Sequence, residues 1–196
     1  QWKESCQRCP PKARSTRTAA AQSPFRARRE SPESSAGNMA RPAIGRVMAR
    51  LEELKIDRNT VIIFTSDNGG LATSVGSPTC NAPLRAGKGW LYEGGIRVPM
   101  IVKYPGLETS ENEVDCPVSS IDIYPTLAEI AGYDCSRENI DGLSFLKTLT
   151  GSNLEERPLF WHYPHYSNQG VEPGSAVRLG KYKLIDNFEM ERQELY

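Results

Sequence analysis

Residues 1–38 contain no leucine, isoleucine or valine. So aliphatic-poor a segment cannot bury enough apolar surface to offset the entropy lost on ordering it. No apolar run approaches the roughly 18 residues of a membrane span, which argues against a transmembrane helix. The first residues carry charge without the apolar run of about 7–15 that follows in a secretory signal. An excess of either charge is missing as well, since 24 Lys+Arg balance 24 Asp+Glu. A nucleic-acid binder would show a basic surplus and a solvated, disordered chain an acidic one.

The balance conceals two unlike parts. Residues 1–38 carry eight basic and three acidic residues, a net +5, and the remainder carries 16 against 21, a net −5. The first part, rich in Ser, Ala, Arg and Pro, reads as a disordered basic arm before a globular body. Five cysteines are an odd, scattered set: Cys6, Cys9, Cys80, Cys116 and Cys135. The Cys6/Cys9 pair has no second ligand pair at zinc-finger spacing. One disulfide among the other three is compatible with the count.

Within the body, Ile44, Val47, Met48, Leu51 and Leu54 recur at spacings of three and four, predicting a helix over 42–56 with Pro42 in its first turn. Asp57-Arg58-Asn59 makes a turn, and Thr60–Phe64 is a continuous β-branched run suited to a strand buried on both faces. A helix followed at once by such a strand predicts an α/β body with a mostly parallel sheet. A second strand is expected over Ile96–Tyr104, a helix after Ser120–Asp122 with Gly132 as its cap, and a short helix over Ser144–Leu149. Pro158–Trp161 and Ala176–Ile185 read as an antiparallel pair, a small β piece appended to the body. The ending at Glu194-Leu195-Tyr196 without a closing element suggests a chain cut short.

Between the first two strands run about thirty residues without periodicity, a length usual for functional loops. Ser66-Asp67-Asn68-Gly69-Gly70 opens this stretch directly after a strand, where ligands sit in α/β sheets. Asp67 and Asn68 offer two hard oxygen ligands of the kind Ca²⁺ or Mg²⁺ accepts, and the same residues also make good turn chemistry. Lys88 stands between Gly87 and Gly89, either an exposed loop lysine or a point charge presented to an anion. Arg85 and Arg97 can act similarly, or form ion pairs with Glu93. His162 and His165, the only histidines, fall three apart in an aromatic segment and reach one ligand only if that segment turns. No Gly-x-Ser-x-Gly, Walker loop or dinucleotide fingerprint is present.

N-T-V-I-I-F-T-S-D-N-G-G (59–70) and P-L-R-A-G-K-G-W-L-Y-E-G-G-I-R-V-P (83–99) resemble the sulfatase family of the alkaline-phosphatase superfamily. The resemblance continues in order through S-S-I-D-I-Y-P-T-L-A-E-I-A-G (119–132), D-G-L-S-F-L (141–146), R-P-L-F-W-H-Y (157–163) and G-K-Y-K-L-I (180–185). It implies an alkaline-phosphatase-like sandwich, with 39–156 the latter part of a catalytic domain and 157–196 the start of a small C-terminal β subdomain. It implies hydrolysis of sulfate esters by a formylglycine made from cysteine, beside a divalent metal that is usually Ca²⁺. By motif position Asp67 and Asn68 match a pair of metal ligands and Lys88 matches a sulfate-contacting lysine. His162 and His165 are candidates for contact with substrate, a sulfated small molecule or sulfated carbohydrate. An exported, periplasmic or lysosomal setting also follows from the resemblance.

The family's nucleophile motif, C-x-P-S-R or a relative, is absent. Cys9-Pro10-Pro11-Lys12-Ala13-Arg14 comes nearest but places Arg one residue late. No nucleophile is therefore assigned, and the chain by itself is expected to be inactive. The arm then reads as foreign or frame-shifted sequence. The alternatives are a non-catalytic remnant or binding protein, or a phosphatase or phosphodiesterase of the same superfamily.

Overall fold

A computed structural model describes residues 35–73, 76, 79–107, 113–152 and 154–196, with side chains from residue 42 onward. Residues 1–34 of the arm, with Cys6 and Cys9, lie outside the described residues, whereas 35–38, expected as the end of the disordered arm, open the first helix. Helix α1 spans Ser35–Glu53, so Pro42 sits inside the helix rather than in its first turn. There its missing N–H removes one bond from the helical ladder. Val47 and Leu54 on the expected packing face are 59% and 50% exposed, as is much of Ile44 and Ile56. The periodicity thus located a helix whose apolar stripe is uncovered among the described residues.

A 3-10 turn at Asp57–Asn59 leads into β1 (Ile62–Thr65), which pairs with β2 (Met100–Lys103). The pairing is antiparallel, with Ile63 opposite Val102 and Thr65 opposite Met100. This pair departs from the mostly parallel sheet expected of the body. A parallel pair needs a crossover, usually a helix of its own. The connection here holds instead only the single turn α2 (Glu93–Ile96) among its described residues. The second strand is also shorter than Ile96–Tyr104, because Ile96 completes α2 and Pro99 precedes the ladder.

Helix α3 (Ile123–Ile130) follows a 3-10 turn at Ser120–Asp122, and Gly132 lies just past its cap at φ 73°. Asp122, with no exposed surface, organises this region. Its carboxylate accepts from the Ser119 amide at 2.7 Å and the Leu143 amide at 2.9 Å, and pairs with Arg157. Thr126 donates its hydroxyl to the Asp122 carbonyl and accepts from the Phe145 amide at 3.0 Å. Two motifs distant in sequence, S-S-I-D-I-Y-P-T and D-G-L-S-F, are thereby stitched together around Phe145. A 3-10 turn at Leu146–Thr150 replaces the short helix expected there, ending at Gly151 with φ 92°.

The remainder is a four-stranded antiparallel sheet in the order β3 (Leu159–Tyr163), β4 (Gly174–Leu179), β5 (Tyr182–Asn187), β6 (Arg192–Leu195). The run 176–185, expected as one strand, is a hairpin. Gly180 at φ 55° reverses the chain so that Leu179 faces Tyr182. Glycine adopts that left-handed conformation without a steric penalty, which is why two-residue hairpin turns favour it. Trp161 and Tyr163 of β3, Ala176 of β4 and Ile185 of β5 pack with Ala86, Trp90, Leu91 and Tyr92 from the long connection. The principal core therefore lies between this sheet and the segment carrying Lys88. Cys116 and Cys135 are free thiols. Among the described residues no helix is long and apolar enough to cross a membrane.

Candidate functional site

Strand β1 ends at Thr65, whose hydroxyl donates to the Pro99 carbonyl at 3.0 Å, and the chain turns through Ser66–Gly70. The Ser66 hydroxyl donates to the Asn68 carbonyl at 2.9 Å and tightens the turn. Asp67 is exposed and Asn68 half-buried. The Asn68 side-chain amide donates to one Asp67 carboxylate oxygen at 2.5 Å. That bond leaves the side-chain oxygen Oδ1 of Asn68 and Oδ1 of Asp67 as acceptors.

Glycine backbone contacts fix this turn against the Lys88 loop. The Gly69 amide donates to the Gly95 carbonyl at 2.9 Å, and the Lys88 amide donates to the Gly70 carbonyl at 3.1 Å. A Cβ at Gly69 would stand 1.7 Å from the Gly94 carbonyl oxygen, and one at Gly87 would stand 2.4 Å from that of Gly70. Main chain meets main chain here, at a separation that only glycine permits. Asn81 clamps the same seam. Its side chain accepts from the Gly70 amide at 3.2 Å and donates to the carbonyls of Gly70 at 2.7 Å and Ala86 at 3.0 Å. Lys88 is exposed at the rim of this seam. Asp67, Asn68 and Lys88, twenty residues apart in sequence, are thus carried by two loops joined through Gly70.

A polar loop from the C-terminal sheet borders Gly89, the residue after Lys88. A Cβ at Gly89 would meet the Ser167 hydroxyl at 3.1 Å and the Gln169 stem at 3.4 Å. His165 belongs to the same loop and contacts the Tyr163 ring edge-on at 5.6 Å. His162 lies elsewhere. The burial of β3 alternates, with Trp161 and Tyr163 towards the core, Phe160 and His162 away from it. His162 Nδ1 is 2.7 Å from the Ser175 hydroxyl, and its ring lies beside Phe188. The two histidines are therefore not brought together, because strand alternation commits His162 to the outer face.

Charged groups behind the seam are paired. Glu93 takes Lys183 at 2.9 Å and Arg97 at 3.8 Å, realising the ion pair expected with Arg97 and adding a second partner. Burial pushes the Lys183 ammonium below its ordinary range, and the Glu93 carboxylate offsets this in part. Tyr92 donates to Glu194 at 2.5 Å, while the Arg85 guanidinium covers the Tyr92 ring at 3.7 Å. Burial and the Glu194 carboxylate raise the Tyr92 phenol above its usual value. Burial would raise Glu194 too, but the Tyr92 bond and the Arg85 and Arg192 charges hold it below the ordinary carboxylate range. Sequence reasoning missed Asn81 and Lys183. The stretch around Asn81 has no period to signal a clamp. In Tyr182–Ile185 alternation puts Lys183 with Ile185, yet Leu184 makes the opposite face equally plausible as the buried one.

Calcium takes six to eight oxygen ligands. Among the described residues no group of three or more His, Cys, Asp or Glu side chains could hold a metal ion. The Asp67–Asn68 pair fits such an ion only as a contributor of two hard oxygens.

The solved structures that resemble this arrangement are sulfatases of alkaline-phosphatase-like fold. Ps i-CgsB in complex with a neocarrahexaose matches with TM-score 0.66 and 28% identity, over 79% of this chain and 33% of that one. BT4656, in complex with its substrate D-glucosamine-2-N,6-O-disulfate, matches with TM-score 0.67 and 25% identity, over 79% and 31%. The chain belongs to the sulfatase family: the Sulfatase family model matches residues 3–133. That match begins within the basic arm. A second model, N-sulphoglucosamine sulphohydrolase, C-terminal, matches residues 86–196. Among curated relatives, a sulfatase of Formosa agariphila is 40% identical over 78% of this chain and 31% of its own length. Arylsulfatase A of Homo sapiens is 36% identical over 72% and 27%. The chain spans about a third of the length of these relatives.

Proposed function

We propose that this chain forms part of a hydrolase acting on sulfate esters of carbohydrates. Asp67 and Asn68 contribute two oxygens to a divalent cation, Ca²⁺ by the family resemblance, and Lys88 presents its ammonium to the sulfate. The observation that carries this reading is the glycine seam, which ties the Asp67–Asn68 turn to the Lys88 loop through the Lys88 amide and Gly70 carbonyl. A carboxylate–amide pair and a cation joined in this way suit a ligand carrying a metal-bound anion. When bound, the metal supplies Lewis acidity towards the sulfate. Lys88, on a loop fixed by backbone contacts, neutralises charge that develops on the sulfate oxygens. The Ser167–Gln169 segment beside Gly89 and the adjacent His165 supply hydroxyl, amide and imidazole groups suited to sugar hydroxyls. His162 faces the other side of its sheet, which favours His165 as the substrate-side histidine. Sulfated carbohydrate is preferred over simpler esters because BT4656 was solved with a sulfated glucosamine as its substrate.

Residues 1–196 alone carry no nucleophile motif, and we propose that they do not turn over sulfate esters. Incubating the purified chain with a chromogenic aryl sulfate and Ca²⁺ is expected to release no more product than buffer. Clear turnover that disappears in Lys88→Ala would refute this proposal. Two oxygens also predict weak cation binding, with a dissociation constant on the order of 10⁻³ M or above. Calorimetry checks this, and micromolar affinity abolished by Asp67→Ala would contradict it.

A further inference from the structure

The geometry points to Lys183 as a positioning residue for the Asp67–Lys88 site, acting through Glu93; this rests on the reading of that site proposed above. Lys183 lies on the core face of β5 and is only 5% exposed. Its ammonium is 2.9 Å from a Glu93 carboxylate oxygen and 5.5 Å from the centre of the Trp161 ring. An isolated ammonium in such a place would be costly, and burial already lowers its proton affinity. An apolar side chain would fill the site without that cost, because a buried ion pair is weak evidence of stabilisation and is best attested where it specifies a geometry.

What this pair specifies can be followed bond by bond. Glu93 opens α2, and the next two residues form one side of the glycine seam. The Gly94 amide donates to the Arg85 carbonyl at 2.8 Å, and the Gly95 carbonyl accepts from the Gly69 amide at 2.9 Å. Gly94 thus grips the loop that leads to Lys88, and Gly95 grips the turn that carries Asp67 and Asn68. A Cβ on Gly94 would lie 2.3 Å from the Ala86 carbonyl oxygen, so these strands of main chain cannot slide past one another independently. The four-residue α2 has no hydrophobic stripe of its own to fix its orientation. Glu93 is its charged attachment to the C-terminal sheet, and Lys183 is the group that receives it. Loss of the pair releases the seam's charged anchor to β5, so the bonds of the Gly69 and Lys88 amides open more often.

Amide hydrogen exchange of the complete 196-residue chain tests this, reading the Gly69 and Lys88 amides against those of the β4–β5 ladder. In Lys183→Met, which keeps the apolar stem, Gly69 and Lys88 are expected to exchange at least ~10-fold faster while the ladder changes by less than ~3-fold. Glu93→Gln leaves Lys183 in place and should reproduce the selective loss, which guards against a misfolded lysine variant. The double variant should exchange no faster at Gly69 and Lys88 than the single variants, because both remove one interaction. Equal loss in ladder and loops would make Lys183 an ordinary stability residue and overturn the proposal, as would unchanged exchange at Gly69 and Lys88. The readout needs neither metal nor sulfate. Failure of the wild-type chain to bind either would count against the functional reading alone.

Discussion

Replacing Arg157 by methionine is expected to cost about 3 kcal/mol of stability, by the general behaviour of broken buried ion pairs. Asp122 has no exposed surface, and Arg157 is the basic side chain that pairs with it among the described residues. Removal of the guanidinium leaves a carboxylate with two backbone donors, Ser119 and Leu143, and no neutralising charge. Those two amides keep the cost at the lower end of the 3–5 kcal/mol range typical of such losses. Arg157 also donates to the Asp141 carbonyl at 3.3 Å, so the D-G-L-S-F segment loosens with it. Urea titration followed by far-UV circular dichroism measures the effect as a fall in midpoint. Asp122→Asn in the same background should recover part of the loss, since the amide keeps an oxygen for Leu143 and carries no charge. An unfolding free energy within ~0.5 kcal/mol of wild type in Arg157→Met, as for an ordinary surface substitution, would contradict the expected cost.

The second large effect is expected at Gly69. An alanine there places its Cβ 1.7 Å from the Gly94 carbonyl oxygen and 3.1 Å from the Gly95 Cα. Neither neighbour is the far end of a flexible side chain, so the clash is relieved only by moving one loop off the other. The cost is about 3 kcal/mol, at the upper end for overpacking. The bond from the Gly69 amide to the Gly95 carbonyl is lost in the same displacement. Gly76, whose added Cβ would meet nothing within 4 Å, serves as a control for glycine replacement in this connection, although its φ of 77° carries a local strain. Thermal melts and the Gly95-region amide spectrum distinguish the two. Gly69→Ala should lower the midpoint by several degrees and shift resonances on both loops, while Gly76→Ala perturbs only its own vicinity.

Both effects bear on what could be read from the chain. The β1 run was legible because Val61–Phe64 is a continuous apolar run of three β-branched residues and an aromatic one, and such a run has few alternatives to a strand. Its pairing partner was not. Direction depends on the path of the intervening connection, and that path is set by glycine-to-glycine contacts with no periodic signature. The C-terminal sheet was half legible. Leu159–Tyr163 alternates cleanly, but 176–185 reads as one long run until Gly180 is given its left-handed conformation.

The candidate site residues Asp67, Asn68 and Lys88 were legible as residue types and through resemblance to a family. The joining of their loops was not, because the bond from the Lys88 amide to the Gly70 carbonyl involves no side chain. The pairing of Glu93 with Lys183 was hidden for a different reason. The residues are ninety positions apart, and a lysine in a strand is ordinarily solvent-facing. His162 and His165 looked equivalent in sequence, and only the strand's alternation separated them.

The backbone character of the glycine seam has a consequence for how this region tolerates change. Asp67, Asn68 and Lys88 contribute nothing through their side chains to the bonds that join their two loops. On the function proposed above, chemistry and architecture are therefore written in separate residues: exchanging the three polar side chains is expected to alter what is bound and leave the frame standing, whereas exchanging a glycine is expected to remove the frame. A saturation library over 66–95 should accordingly split into two populations, one folded and altered in ligand, the other unfolded, with few variants between.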